Sequence, residues 1–217
     1  FFKVSLININ SSSDNLLDVE NVKKYLSMVA PVPFDYSKFP FVEKIEKFIK
    51  EKNLHPLSEY CVYLNNEEIR KGYKTPLSVE GKSIEILDIE CKVLQGETKT
   101  ALGWLWFGVS QFEGVLKCWQ GCLRLRKNNI QIGEADCLLN KGLWKEDTRG
   151  SKYFIGEVHA LDPNLTPNSR RDYFNQDSSC RRFEQSLISE FKILHSLYRK
   201  ASEIRSAYKD IYNAQEA

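Results

Sequence analysis

The chain has 217 residues, of which 42% are hydrophobic and 28% are charged. This composition is that of an ordinary folded domain and excludes disordered, collagenous and mucin-like chains. Lysine and arginine number 31 against 29 aspartate and glutamate residues, so the net charge of +2 gives no general attraction to nucleic acid or anionic lipid. The longest apolar run, residues 102–109, is far shorter than the ~20 residues of a membrane-spanning helix.

The first part of the sequence predicts one strand and two helices. Alternating residues over 2–9 indicate a half-buried strand, and a loop follows over 11–15. Asp18 can cap a first helix, which the two prolines of residues 30–35 end because proline cannot continue a helix. Pro40 can open the second helix. The buried faces of the two helices are predicted at Val19, Val22, Leu26 and Val29, and at Val42, Ile45, Phe48 and Ile49.

From Tyr60 onward the apolar period changes to two, which is typical of strands. Asn65 and Asn66 predict the turn of a hairpin. A long strand is expected over 83–94, with a bulge at Leu87 where the apolar residues change face. The strand over 101–109 is apolar throughout, which predicts that both of its faces are covered.

Residues 121–132 predict a further pair of strands that turn at residues 127–129. Leu123 and Leu125 are expected to face inward, and Arg124 and Arg126 are expected to face outward.

A last strand over 152–161 and a loop over 162–168 precede a long helix that is predicted from about Arg181. The apolar positions of this helix are Phe183, Leu187, Phe191, Leu194, Tyr198, Ala201, Ile204, Tyr208 and Ile211. We expect its first half to pack on the sheet and its second half to pack on a further domain or on a partner chain. The order of elements predicts an α+β fold, with helices packed on a mixed sheet and a long C-terminal helix.

The six cysteines do not have the density of a disulfide scaffold. Cys118 and Cys122 form a C-x3-C pair that could supply half of a zinc site, but no second closely spaced pair follows. We therefore expect free thiols in a reducing cytoplasm, and no metal site.

The densest group of reactive side chains lies in PNSRRDYF, residues 167–174. Its first residues have the pattern of a turn and a helix cap, and Arg170 and Arg171 follow beside Asp172. Two arginines at the edge of an ordered loop can bind phosphate oxygens with planar pairs of donors. The alternative is an exposed helix start with a local ion pair. The sequence has no glycine-rich phosphate loop and no nucleophile motif, so the chain is not expected to hold a nucleotide by itself.

Residues 153–174 resemble the middle domain of the heat-shock protein 90 chaperones. In that family a strand and a turn with a Leu-Pro-Leu-Asn element precede Ser-Arg-Glu. Asn168, Ser169, Arg171 and Asp172 follow the same order here, with Arg170 inserted. Asn175 stands at the offset where the family has a glutamine.

Three other segments resemble the family in the same order. Residues 1–10 resemble the last strand of the family's ATPase domain. Residues 16–41 resemble the helix and proline-rich entry that follow it, and residues 123–133 resemble the arginine-rich strand before the catalytic loop. The entry segment and the arginine loop are closer to divergent bacterial members of the GHKL ATPase superfamily.

The resemblance implies a middle, or transducer, domain built as a two-layer sandwich with helices on one side of a mixed sheet. The implied boundaries are a last strand and linker at 1–15, the transducer domain at 16–180 and the long helix at 181–217. Because the chain opens within an apparent strand and its only methionine is Met28, we expect it to be part of a longer protein.

The resemblance also implies a function. Arg171 would contact the γ-phosphate of ATP, which is bound with Mg²⁺ in a preceding N-terminal ATPase domain. Arg170 and Asn175 would assist it, and Asn168 and Ser169 would lie at the nucleotide. The implied partners are that ATPase domain, a second subunit in a homodimer and protein clients, with no membrane.

Two other functions are consistent with the residues alone. A nucleic-acid-binding module could use Arg124 and Arg126 on one strand face, although the net charge argues against it. The side chains available for stacking on bases would be Trp104, Trp106, Trp119 and Trp144. A client-binding scaffold without a catalytic role could use the exposed part of residues 102–109, or the second half of the C-terminal helix.

Overall fold

The computed structural model describes residues 4–5, 7, 15–96, 100–110 and 117–216. The strand expected over 2–9 and the loop expected over 11–15 lie almost entirely outside the described residues. The helices are α1 Val19–Val29, α2 Val42–Glu51, α3 Cys137–Asn140 and α4 Ser178–Glu216. The strands are β1 Tyr63–Leu64, β2 Glu67–Glu68, β3 Leu77–Val79, β4 Lys82–Ile84, β5 Ile86–Gln95, β6 Ala101–Ser110, β7 Cys122–Lys127, β8 Ile130–Gln131 and β9 Phe154–Ala160.

A five-stranded mixed sheet in the order β5-β6-β9-β7-β8 forms the centre of the fold. All neighbouring strands are antiparallel except β7 and β9, which run parallel with Leu125 opposite Val158. The pairs β1–β2 and β3–β4 are separate two-stranded hairpins. The α+β fold class, the mixed sheet and the long C-terminal helix are therefore confirmed.

Packed side chains cover both faces of this sheet. On β6, Trp104 and Trp106 pack with α1 and α2, whereas Leu105 and Phe107 pack with α3 and α4. Residues 102–108 are all buried, as the uninterrupted apolar run predicts. The expected arrangement of helices on one side needs correction, because a strand that is apolar on both faces has to be covered from both sides.

Several local predictions in the first hundred residues are confirmed. The Asp18 side chain caps α1 by accepting a hydrogen bond from the Asn21 amide, and α1 ends before the prolines. Asn65 and Asn66 both have positive φ, which matches the predicted hairpin turn. Helix α2 buries its predicted face, with Phe48 only partly covered.

Other local predictions are wrong. Helix α1 buries Ser27 and Met28, whereas Val19 is 45% exposed. The bulge near Leu87 is present as a register shift between Ile86 and Ile89, but the Leu87 side chain points to solvent and not to the predicted buried face. In both cases the buried face of the element is set by its packing on the rest of the fold, and this packing cannot be predicted from the local spacing of apolar residues.

Gly156 on β9 allows the two central strands to approach. A Cβ at this position would lie 2.1 Å from the Trp106 carbonyl oxygen, and φ is +152°. We predict that Gly156→Ala lowers the free energy of unfolding by at least about 2 kcal/mol, because the strands must separate to accept the methyl group. Gly81→Ala is the control, since φ is also positive there (+81°) but no atom lies within 4 Å. Urea denaturation measures both variants, and equal losses would contradict the prediction.

Candidate functional site

Residues 162–177, which we call the arginine loop, connect β9 to α4. A bridge between Pro167 and Phe174 closes the tip of the loop, and the Asn168 amide donates to the Tyr173 carbonyl at 2.8 Å. Tyr173 and Phe174 are buried and anchor this tip in the core. The tip is therefore an ordered turn that is anchored by two buried aromatic side chains.

The helix start expected within residues 167–174 is wrong. Arg171 has φ +54°, a left-handed conformation that does not continue into a helix. Helix α4 begins at Ser178, where the Asp177 carboxylate accepts a hydrogen bond from the Cys180 amide at 2.8 Å. This start also precedes the predicted one near Arg181.

The side chains of Arg170 and Arg171 are exposed at the tip. Neither guanidinium forms a hydrogen bond or ion pair with any residue that the structure describes. The backbone of Arg171 is held, because its carbonyl accepts a hydrogen bond from the Gly133 amide at 2.9 Å. The loop thus combines a fixed backbone with two cationic side chains that face solvent.

A chain of hydrogen bonds that begins in the sheet supports the contact between Gly133 and Arg171. The Arg124 guanidinium donates to Gln131 Oε1 at 2.8 Å, and Gln131 Nε2 donates to the Gly133 carbonyl at 2.7 Å. Gly133 has φ +65°, and a Cβ there would lie 2.4 Å from the Asp172 carbonyl oxygen. The arginine loop therefore rests directly on the end of β8.

Sequence reasoning did not assign these supporting residues to the site. Arg124 was expected to face outward, and that prediction is wrong, since its side chain is buried and also donates to the Trp119 carbonyl. The sequence around Gly133 by itself indicates no more than a turn. Its place directly after the last alternating residue of a strand was the available signal for a close backbone contact.

The other predicted site residues are divided between the exterior and the interior of the loop. Ser169 is exposed beside the two arginines. Asn168 donates to Asp172 Oδ1 at 2.6 Å, and its own Oδ1 is buried without a hydrogen-bond partner. Asn175 donates to Thr166 Oγ1 at 3.0 Å across the closing bridge. Asn168 and Asn175 therefore have contacts that shape the loop, whereas Arg170, Arg171 and Ser169 form its exposed tip.

A second group of charged residues, the Glu157 cluster, is completely buried. Glu157 Oε1 accepts from Arg126 Nε at 2.5 Å and from Lys71 Nζ at 2.9 Å, and Glu157 Oε2 lies 3.0 Å from His159 Nε2. The side chains of Arg126, Lys71 and Glu157 have no exposed surface. The prediction that Arg126 faces outward is therefore wrong.

Burial shifts the pKa values of the cluster. Burial alone would raise the pKa of Glu157, but Arg126 and Lys71 hold it well below 4.5. Burial lowers the pKa of His159 to about 4, although Glu157 opposes this shift. Burial also lowers the pKa of Lys71 to about 7. Such shifts are frequent at catalytic sites, but the side chains of Lys71, Arg126 and Glu157 have no exposed surface, so we interpret the cluster as a structural contact of the core.

The surface required by the nucleic-acid interpretation is not formed. Arg124 and Arg126 are buried, and so are three of the four tryptophans, with only Trp119 substantially exposed, at 40%. A strand face suited to nucleic acid is thus absent from the described part of the chain. Trp104, Trp106 and Trp144 instead pack in the core.

The C-x3-C pair is split between the two faces of the sheet. Cys118 packs with the core formed by α1 and α2, whereas Cys122 lines a small cavity beside α3 and Trp144. Within residues 15–96, 100–110 and 117–216, no cluster of three His, Cys, Asp or Glu side chains could hold a metal ion. All six cysteines are free thiols, and Cys61 is the exposed one.

Comparison with models of known protein families gives no match, and comparison with curated protein sequences gives none either. Among the helices that the structure describes, none is both long and apolar enough to cross a bilayer.

The Glu157 cluster predicts loss of stability in acid. The pKa of His159 is about 4 in the folded chain and 6.5 when unperturbed, so the unfolded chain binds a proton first as the pH falls below 6.5. The free energy of unfolding should fall by up to about 3 kcal/mol between pH 6.5 and 4, since one pKa unit corresponds to ~1.4 kcal/mol. Glu157 adds a further loss below pH 4.5, because its folded pKa is also lowered.

Urea denaturation at a series of pH values measures this slope. His159→Gln should flatten it between pH 6.5 and 4, because glutamine does not titrate but can still donate to Glu157. His55→Gln is the control at an exposed histidine and should leave the slope unchanged. A steep slope that survives in His159→Gln would contradict the assignment.

Proposed function

We propose that this chain is the middle domain of an ATP-dependent, chaperone-like protein of the heat-shock protein 90 and GHKL type. In this proposal Arg171 reaches the γ-phosphate of ATP held with Mg²⁺ by an N-terminal ATPase domain of the same protein. The observation that supports the proposal is the arginine loop, which presents two exposed guanidinium groups on an anchored backbone.

The residues of the loop suit a phosphate. A guanidinium offers several donors in one plane, which match the oxygens of a phosphoryl group. When ATP is bound by the preceding domain, it supplies the phosphoryl group to be transferred. Arg171 then stabilises the negative charge that develops on the γ-phosphate oxygens, and arginines in this role accelerate phosphoryl transfer by 10³ to 10⁵ in other enzymes. Arg170 adds a second positive charge to the same tip.

The anchored backbone has a kinetic advantage in this role. Because the Gly133 amide and the Pro167–Phe174 bridge already fix the loop, docking on the phosphate has to order only the arginine side chain. Movement of the whole domain toward the ATPase domain would then place the guanidinium, which couples hydrolysis to a conformational change.

Arg171→Ala tests the proposal in a longer protein that contains both this chain and the ATPase domain. We expect kcat for ATP hydrolysis to fall by at least ~100-fold with a smaller change in KM, because the interaction is formed mainly in the transition state. Arg199→Ala is the control at an exposed arginine of α4 and should leave turnover unchanged. Unchanged turnover in Arg171→Ala would remove the proposed mechanism.

A second prediction concerns the support of the loop. Gln131→Met removes the hydrogen bonds to Arg124 and Gly133 while it keeps a similar side-chain volume. We expect turnover to fall about tenfold, and we expect little further loss when Gln131→Met is added to Arg171→Ala, since both changes act on one interaction. Fully additive losses would indicate that Gln131 acts independently of the arginine.

A client-binding scaffold without a catalytic role is the second candidate. Residues 102–108 are buried and cannot serve as its surface, but the second half of α4 exposes apolar side chains, among them Ile204 and Ile211. This candidate requires no change of ATP turnover in Arg171→Ala, which separates it from the first.

A further inference from the structure

A cavity of about 590 Å³ lies between α2 and residues 53–59, the segment that follows this helix. Most of its lining is apolar and comes from Phe34, Val42, Ile45, Ile49, Leu54, Pro56 and Leu57. The cavity belongs to the face of the sheet that α1 and α2 cover, whereas the arginine loop is anchored in the core on the other face. Cavities of about 300–1,000 Å³ with largely apolar walls are typical binding sites for small molecules.

The segment that forms the outer wall of this cavity is held at three points. The Leu54 amide donates to a carbonyl in the last turn of α2 at 2.9 Å, and the Tyr60 amide donates to the Pro31 carbonyl at 2.9 Å. Between these two points, the Asn129 side chain donates to the Ser58 carbonyl at 2.8 Å. Because both walls are fixed, a ligand can enter without the entropic cost of ordering a loop.

Two carboxylates, those of Glu46 and Glu59, line the same cavity. The Tyr36 hydroxyl donates to Glu46 Oε1 and holds this side chain in place. Neither carboxylate forms an ion pair with any lysine or arginine that the structure describes. Lys50 contributes a positive charge to the lining, one helical turn beyond Glu46, so the lining residues carry a net negative charge.

The surroundings of Glu59 disfavour its ionised form. Partial burial raises the pKa of Glu59, and the negative charges of Glu46 and Glu157 add to this shift. Lys71 and Arg70 act in the opposite direction but do not reverse it. A cation bound beside Glu46 and Glu59 would offset their mutual repulsion and stabilise both ionised carboxylates.

We propose that this cavity binds a small apolar molecule that carries an ammonium group. The apolar part of the ligand packs between α2 and residues 53–59, and its ammonium group donates to the carboxylates of Glu46 and Glu59. Hydrogen bonds between charged groups are stronger than those between neutral groups, and apolar walls strengthen them further. A fatty acid would bring another carboxylate to the same site, so the cavity discriminates against it. This proposal is independent of the arginine loop.

Titration of the chain with octylammonium, octanol and octanoate at pH 7, followed by NMR of the backbone amides, tests this site. Octylammonium should bind with a dissociation constant of about 1 mM or lower, with shifts concentrated in residues 42–59. Octanol and octanoate should bind at least about tenfold more weakly, because neither supplies a positive charge. Absence of saturable octylammonium binding, or equal binding of octanol, would overturn the proposal.

Substitutions in the lining test the assigned roles. Glu46→Gln and Glu59→Gln should each weaken octylammonium binding about fivefold and leave octanol binding unchanged, because each removes one charge and keeps the side-chain shape. Glu51→Gln is the matched control, since Glu51 is exposed on the opposite side of α2 and pairs with Lys47. Thermal unfolding verifies that the variants are folded. Octylammonium binding that is as strong in the double variant Glu46→Gln, Glu59→Gln as in the wild type would overturn the assignment.

Discussion

The Glu157 carboxylate is enclosed by Arg126, Lys71 and His159, and the positions of several parts of the fold depend on these contacts. Arg126 comes from β7, Lys71 from the segment that follows the β1–β2 hairpin, and His159 from β9 itself. Arg126 also donates to the Met28 carbonyl at the end of α1. One buried carboxylate thus fixes the register of β7 against β9. It also fixes the positions of the end of α1 and of the segment that carries Lys71.

Such a cluster is costly to form and more costly to break. The desolvation of buried charges offsets much of their attraction, so their pairing adds little net stability. Loss of one partner, however, leaves a buried charge without compensation and costs about 3–5 kcal/mol. Alternative positions of β7 against β9 are therefore strongly disfavoured. Because β8 pairs with β7, the position of the end of β8 is fixed as well.

The fixed end of β8 is what connects the core to the arginine loop. Gln131 and Gly133 carry hydrogen bonds from the buried Arg124 to the backbone of Arg171. The rigid part of the loop therefore ends at the Arg171 backbone, and the guanidinium beyond it faces solvent. This division between fixed backbone and free side chain supports the proposed role of Arg171 at a phosphate of another domain, which stays a proposal.

The fold class could be predicted from the sequence because the signals concerned are local. The Asp18 cap, the Asn65–Asn66 turn and the apolar run of β6 each act within a few residues. The burial of Arg126 could not be predicted in this way, because alternation assigns a charged residue to solvent unless its partner is known. That partner, Glu157, lies 31 residues away. The prediction of a helix start in the arginine loop is wrong for the same reason. The left-handed conformation of Arg171 goes with a contact to Gly133, and Gly133 is distant in the sequence.

Amide hydrogen exchange at Gly133 tests most directly whether the core holds the arginine loop. If the Gly133 amide is bonded to the Arg171 carbonyl in solution, its exchange should be slowed at least about 100-fold relative to an unstructured peptide. Exchange at the rate of an unstructured peptide in the folded chain would show that the loop is not anchored, and it would contradict the account of a preformed arginine site.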